Sequence, residues 1–186
     1  MTLESLNLPR FAGEVAEDNI LHALATAVDL NGQLINVSVS RGFDAEIADV
    51  IMANPLPDAM PLVRLNVWNE EEELAMTSTT VFAHYTASLY VFYYYGTPSL
   101  DPTFTSFVNL RRRHIQACLT ALQLNVGASL TTGIDPMQTK YWKRDTTRPV
   151  VVDYQSPFRY LDKSIQVKAG FNCTRVDYPI LVNSGA

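Results

Sequence analysis

Few residues of this chain have the types and spacing that chemistry requires. His114 and Cys118 stand four residues apart and would share one face of a helix, but two ligands do not complete a zinc site and no second pair lies nearby in the sequence. The eight glycines form neither a GxGxxG nor a GxxxxGK[ST] nucleotide-binding motif. No GxSxG nucleophile motif accompanies His22 or His84. The sequence therefore predicts no catalytic, cofactor-binding or metal site, and we expect the histidines to be structural or surface residues.

The strongest charge feature is a run of four glutamates, Glu70, Glu71, Glu72 and Glu73. Neighbouring residues of extended backbone point to opposite sides, so at most two of these carboxylates would converge on one ligand. Paired acids for glycoside chemistry or a calcium site are therefore the weaker interpretation. We expect an acidic loop, which would keep polyanions such as DNA from binding.

Aromatic side chains form the second feature. Tyr90, Phe92 and Tyr94 lie near the end of a long predicted strand, and we expect them to pack against the helices or another subunit, where aromatic residues are enriched. Because both sides of this strand end are apolar, it is expected to be covered on both faces. Tyr141 and Trp142 belong to a predicted polar loop and are candidates for contact with a partner.

An enzymatic or small-molecule-binding domain is the alternative. In that case a curved sheet and its helices would enclose an aromatic pocket with a polar group in its wall. The pocket would be lined by Tyr85, Tyr93, Tyr95 and Phe171, with His84 or Asp153 as the polar group.

The composition favours an assembly component over a free catalyst. Of the 186 residues 47% are hydrophobic and only 18% are charged, whereas soluble domains carry about 25% charged residues. A neutral surface is buried against another protein at a small desolvation cost. With 14 basic and 19 acidic residues the formal net charge is −5, which disfavours a broad phosphate-binding surface.

The sequence contains no recognisable export or membrane signal. MTLESLNLPR at the amino terminus lacks the apolar run of a secretion signal, and no run of about 18 apolar residues would span a membrane. We therefore expect Cys118 and Cys173 to be reduced, buried thiols in a protein that stays in the compartment where it is made.

Hydrophobic periodicity predicts two long helices, at residues 14–30 and 103–124. Strands are predicted at residues 34–40, 62–68, 77–95, 150–154 and 164–176, with a turn and a short strand at 125–134. Residues 41–61 and 135–149 are expected to be long loops, and residues 1–13 a possible arm. The predicted fold is α+β, a single domain over residues 1–186 in which two long helices pack on a mainly antiparallel mixed sheet.

Across most of its length the chain resembles the tail terminator proteins of tailed bacteriophages, in the order of its elements rather than in a diagnostic motif. The segments that carry the resemblance are, in order, AEDNILHALATAV, a short strand, PLVRLNVWNEEEE, TVFAHYTASLYVFYYYG, FTSFVNLRRRHIQACLTAL and KSIQVKAGFNCTRV. Residues 135–149 and the segment before Glu14 are additions relative to this pattern.

The resemblance implies a structural virion protein that is not an enzyme and takes no cofactor. Such proteins form hexameric rings, assembled in the host cytoplasm, that cap the tail tube and join it to the head in the neck. The implied partners are further copies of the chain, the tail tube protein, head completion or neck proteins, and DNA that passes through the channel without sequence-specific binding. Glu70 to Glu73 would then line the channel. Another neck or connector component is the related possibility.

Overall fold

The computed structural model describes residues 12–42, 60–73, 82–94, 104–124, 142–154 and 171–183. Within these ranges the chain forms two helices and six strands. In chain order they are α1 (Ala12–Ala25), β1 (Ser38–Arg41), β2 (Leu62–Glu73), β3 (Phe82–Tyr94), α2 (Phe104–Leu124), β4 (Trp142–Arg144), β5 (Val151–Asp153) and β6 (Phe171–Asn183). None of the described helices is both long and apolar enough to cross a lipid bilayer.

The strands form one mixed sheet in the order β1, β2, β3, β6, β4. β1 pairs with β2 in parallel, whereas β2, β3, β6 and β4 pair antiparallel with their neighbours. β5 also pairs antiparallel with β6, next to β4 along the same edge. The predicted α+β class and the mainly antiparallel mixed sheet are therefore confirmed.

β3 is the central strand of the sheet. Its odd-numbered side chains from Tyr85 to Tyr93 lie in the hydrophobic core, together with Ile20 and Leu24 of α1 and Leu122 of α2. Both helices therefore pack on this face. The even-numbered Tyr90 and Phe92 are also buried, so the expectation that this end of the strand is covered on both faces is confirmed.

The prediction of two long helices is wrong for the first one. α2 has 21 residues, but α1 has 14 and ends at Ala25, five residues before the predicted end. After α1 the chain folds back through a short antiparallel bridge between Val28 and Leu34. The Asp29 carboxylate closes this turn by accepting hydrogen bonds from the amides of Asn31 (2.8 Å) and Gln33 (2.9 Å).

The acidic run is part of a strand and not the loop that was expected. β2 continues through Glu73, past an irregularity between Asn69 and Glu71, and its last residues pair with the beginning of β3. Backbone hydrogen bonds to β3 extend the strand here in spite of the four like charges. The sequence pattern alone predicts a loop for these four residues. The side chains of Glu70 to Glu73 lie outside the described residues.

Other strand boundaries also differ from the sequence prediction. β1 covers Ser38–Arg41 instead of residues 34–40, and the differences at β4 and β6 are larger. Trp142 was expected in a loop but lies on β4, opposite Val182 of β6, and the residue is 1% exposed. β6 covers Phe171–Asn183 instead of residues 164–176. In both cases pairing with the long central strands, which is a tertiary interaction, outweighs the local polar and proline signals.

Candidate interaction surface

An open apolar groove of about 930 Å³ lies between the end of α1 and the outer face of α2. Its α1 side consists of the last turn of the helix and the fold-back that follows, and its α2 side consists of one helical stripe. The lining includes Ala23, Ala27 and Leu30 on the first side and Leu110, Ala117 and Leu124 on the second.

The rim of the groove exposes large apolar side chains. Leu30 is 106% exposed and Leu124 is 79% exposed, and Val28 and Leu110 are also exposed. Burying one such side chain is worth about 1.5 to 3 kcal/mol. An exposed apolar surface of this kind is a candidate interaction site.

α2 gives the groove a positive wall. The helix carries Arg111, Arg112 and Arg113 but none of the chain's 19 acidic residues. Arg113 lines the groove, and both Arg112 and Arg113 are exposed. Arg111 instead packs inward, with its guanidinium carbon 4.6 Å from the centre of the Tyr154 ring.

A buried polar cluster supports the floor of the groove. His114 of α2 lies between the Tyr93 hydroxyl, 2.7 Å from Nδ1, and two oxygen acceptors that face Nε2. These acceptors are the Ile35 carbonyl at 3.1 Å and Asn36 Oδ1 at 2.9 Å. Because neither oxygen can donate, Nε2 carries the proton and Nδ1 accepts the hydrogen bond from the Tyr93 hydroxyl. In this arrangement the imidazole is neutral and both of its nitrogens are paired.

Asn36 joins this cluster to α1. Its Nδ2 donates to the Leu24 carbonyl at 2.8 Å, which is one of the carbonyls at the end of α1 that lack an intrahelical partner. Asn36 is 4% exposed, and its amide therefore satisfies groups on both helices at the point where α1 ends. The early end of α1 is thus stabilised by a residue outside the helix.

The electrostatics of the cluster favour the uncharged forms. Burial lowers the pKa of His114, and the hydrogen bond to the Ile35 carbonyl opposes this effect only in part. Burial likewise raises the pKa of Cys118 to about 12. The Cys118 sulfur is 3.9 Å from Nε2, the protonated nitrogen, so His114 is not placed to accept the thiol proton. This Cys and His pair is therefore structural. Within the described ranges, no three His, Cys, Asp or Glu side chains are grouped as metal ligands.

The opposite face of the sheet carries a second polar network. Trp68 donates from Nε1 to the Ser88 hydroxyl at 3.0 Å, and Ser88 donates to Asp177 at 2.6 Å. Asp177 also pairs with Arg175 at 2.8 Å. These contacts connect β2, β3 and β6 across the sheet. Because these side chains bind one another, we interpret the network as structural.

A further hydrogen bond joins His84 of β3 to the segment that follows β4. Nδ1 of His84 is 3.0 Å from the carboxylate of Asp145, which is fully buried and also accepts hydrogen bonds from the amide and hydroxyl of Thr147. Burial alone raises the pKa of Asp145, but the Thr147 and His84 hydrogen bonds outweigh it and the pKa is lowered. The pair fixes this segment to the sheet.

Among the described residues of the alternative aromatic pocket, the tyrosines and the proposed polar group His84 lie on different faces of the sheet. Tyr85 and Tyr93 are packed in the core on one face of β3, whereas His84 lies on the opposite face because neighbouring residues of a strand alternate. Tyr95 and the side chain of Phe171 lie outside the described residues. Asp153 is opposite Arg175 at the edge of the sheet.

Of the other residues proposed from sequence, Tyr90 and Phe92 are buried side chains of β3, and the ring of Tyr90 lies 5.6 Å from the Arg175 guanidinium. Tyr94 is half-buried on the same strand. Trp142 is buried in the core and so does not serve as an exposed contact, and Tyr141 lies outside the described residues. Sequence reasoning missed the groove, although the apolar residues Leu110, Ala117, Ala121 and Leu124 do follow a second helical stripe on α2.

Comparison of the chain with models of known protein families finds no match, and a search of curated proteins likewise finds no significant relative. The fold and the surface described above are therefore the basis on which function is proposed.

Proposed function

We propose that this chain is a structural virion protein that assembles into a ring, in the manner of the tail terminator proteins that it resembles. In this role it closes the tail tube, joins it to head completion or neck proteins, and leaves a channel through which DNA passes. It acts by geometry and not by catalysis, and its place is the tail and neck region of the virion.

The observation that carries the proposal is the apolar groove with its exposed rim. A protein that worked alone would keep Leu30 and Leu124 in water at a cost in free energy, whereas a subunit buries them when the assembly forms. The low content of charged residues, 18% of the chain, also favours assembly, because few charges have to be desolvated in a contact between subunits.

The order of elements adds support. The resemblance depends on a helix, two strands, a long strand, a second helix and a closing strand. The elements α1, β1, β2, β3, α2 and β6 occur in that order, with β4 and β5 inserted between α2 and β6. The enzymatic alternative has less support, because Tyr85 and Tyr93 lie in the packed core and His84 lies on the other face of the sheet.

Native mass and electron microscopy of the purified protein test the proposal. A ring of six copies of the 20.8 kDa chain would weigh roughly 125 kDa and appear as a closed particle with a central hole. Incubation with phage tails that lack their terminator should place the ring at the end of the tube. A protein that stays monomeric with and without tails would contradict the proposed function.

A further inference from the structure

The fold-back after α1 carries a chemically reactive pair of residues, Asn31 and Gly32. Among the asparagines of this chain, only Asn31 is followed by glycine. In such a pair the backbone nitrogen of the glycine can attack the side-chain carbonyl carbon of the asparagine, because glycine has no Cβ to block the approach. The side-chain amide is then lost, so the pair is a candidate site of spontaneous deamidation.

The pair is accessible in the folded chain. Asn31 and Gly32 are both exposed, and no atom of a more distant residue lies within 4 Å of the position that a Cβ on Gly32 would occupy. Among the described contacts, the Gly32 amide makes one hydrogen bond, to the Asp29 carbonyl at 3.1 Å. The opening of this exposed bond therefore frees the nitrogen. Asn109 is also exposed, but it lies inside α2 and is followed by Leu110, whose amide belongs to the helix.

We propose that Asn31 deamidates spontaneously through the Gly32 nitrogen and that the product loosens the fold-back. Hydroxide removes the proton of the Gly32 amide, and the nitrogen forms a bond to Cγ of Asn31. The bond from Cγ to Nδ2 breaks, and Nδ2 takes up a proton from water and leaves as ammonia, which restores the hydroxide. A second water opens the cyclic imide, at Cγ to give aspartate or at the backbone carbonyl carbon to give isoaspartate.

Both products place a negative charge beside Asp29. Nδ2 of Asn31 lies 3.4 Å from the Asp29 carboxylate, and in aspartate an oxygen of like charge replaces this nitrogen. Isoaspartate also inserts a methylene into the main chain between the amides of Asn31 and Gln33, which Asp29 Oδ1 accepts at 2.8 and 2.9 Å. Because Leu30 and Asn31 line the groove, the change alters one of its walls.

The inference goes beyond the proposed function. The reaction and its effect on the fold-back take place within a single subunit, so neither depends on whether copies of the chain assemble. A result against ring formation would leave the inference standing, and the experiments below do not require assembly.

Peptide mapping by mass spectrometry tests the reaction after incubation at mildly alkaline pH, with the protein folded in buffer or unfolded in urea. In the folded protein the peptide with Asn31 should gain the mass of an amide-to-acid conversion at least about tenfold faster than the peptide with Asn109, because only Asn31 precedes an exposed amide without a neighbouring side chain. Conversion of Asn31 in urea alone would show that the fold protects the pair, and the inference would fail.

Gly32→Ala identifies the attacking nitrogen. This substitution should slow the conversion of Asn31 by about tenfold, because the added Cβ hinders the approach to Cγ. It also weakens the turn, which by itself would speed the reaction, so a slower rate has no other source in the fold-back. An unchanged rate would mean that the Gly32 nitrogen does not attack, which contradicts the proposed route.

Asn31→Asp tests the effect of the product, with Asn31→Ala as the matched control. Both variants lose Nδ2, but only Asn31→Asp adds a charge beside Asp29. Amide hydrogen exchange at Gln33 should be about threefold faster or more in Asn31→Asp, because two carboxylates at this distance repel each other even in water. The difference should shrink in concentrated salt, which screens exposed charges. Equal exchange at Gln33 in the two variants would refute the loosening of the fold-back.

Discussion

Asn36 is the residue on which several parts of the fold depend at once. Its amide pairs with the Leu24 carbonyl at the end of α1 and with His114 of α2. The sequence places Asn36 on the polar side of a predicted strand and gives no sign of this role, since both partners are distant in the chain. Only the packing of the helices reveals it.

Replacement of Asn36 by Ala should destabilise the protein by about 1 to 3 kcal/mol, because the Leu24 carbonyl and His114 Nε2 lose a buried partner. The midpoint of urea unfolding measures this loss. Asn31→Ala is the control, since Asn31 is exposed and its side chain makes only a 3.4 Å contact with Asp29. An equal effect of both substitutions would show that the buried cluster does not stabilise the fold.

His114 should make stability depend on pH near neutrality. Burial lowers the pKa of His114 in the folded chain below the ordinary value of 6.5, which applies to the unfolded chain. Between the folded and the unfolded pKa, the unfolded chain therefore binds more protons than the folded chain. The free energy of unfolding is therefore highest above pH 6.5 and falls as the pH drops through that window, by at most about 1.4 kcal/mol per pH unit.

Urea unfolding at several pH values between 7.5 and 5.5, a range chosen around the usual histidine pKa of about 6.5, measures this slope. His114→Gln should flatten it, and His22→Gln, which replaces an exposed histidine of α1, is the comparison variant. A slope that survives in His114→Gln would assign the effect to other groups. Asp145, whose pKa is lowered from 3.8, acts in a separate and more acidic window, since its stabilising effect is lost only as the pH falls below about 4.

Among the elements, the fold-back after α1 shows best how local sequence and tertiary contacts together determine where a helix ends. Asn31 followed by Gly32 is a typical turn signal, and Gly32 adopts a positive φ of 77° there. The helix nevertheless ends five residues before the position that periodicity predicted. Ala27 and Val28 fit the helical pattern, but the hydrogen bond from the Ile35 amide to the Ala27 carbonyl (3.0 Å) belongs to the fold-back.

Gly32→Ala should destabilise the protein by about 1 kcal/mol, because a residue with a Cβ is disfavoured in the left-handed region. No atom lies within 4 Å of the position that the added Cβ would occupy, so the loss is conformational and not steric. Gly32→Asn should cost less, since Asn tolerates this region. Thermal unfolding of the two variants compares them, and equal losses would argue against the backbone explanation.

Strand boundaries were harder to predict than helix positions. The acidic run from Glu70 to Glu73 has the composition of a loop, and Trp142 lies within a polar segment, yet β2 extends through the acidic run and β4 begins at Trp142. In each case the strand forms because a long neighbour, β3 or β6, offers backbone partners to it. Pairing of this kind is set by contacts between distant segments.

At the scale of the whole molecule, one hydrophobic cluster draws side chains from both helices and from β2, β3, β4 and β6. Shared burial of this kind couples the elements, so the single domain predicted from the sequence should unfold in one cooperative transition. The buried Trp142 is a reporter of this core.

In a Trp68→Phe background, Trp142 fluorescence and far-UV circular dichroism should give the same urea midpoint, because the core and the secondary structure are lost together. Trp68→Phe also removes the hydrogen bond to Ser88, so its stability is compared first with that of the natural chain. Two separate midpoints would indicate two independent units and contradict the single-domain prediction.

The sequence by itself determined the fold class, the presence of both helices, the central strand and the low content of charged residues, because periodicity and composition are local properties of the chain. It also indicated that His114 and Cys118 share a helix face. The tertiary structure alone decided where α1 ends, that residues 70–73 form a strand, that Trp142 is buried, and that α1 and α2 leave an apolar groove with a basic wall. Each of these depends on contacts between segments far apart in the sequence, whose energies no local pattern records.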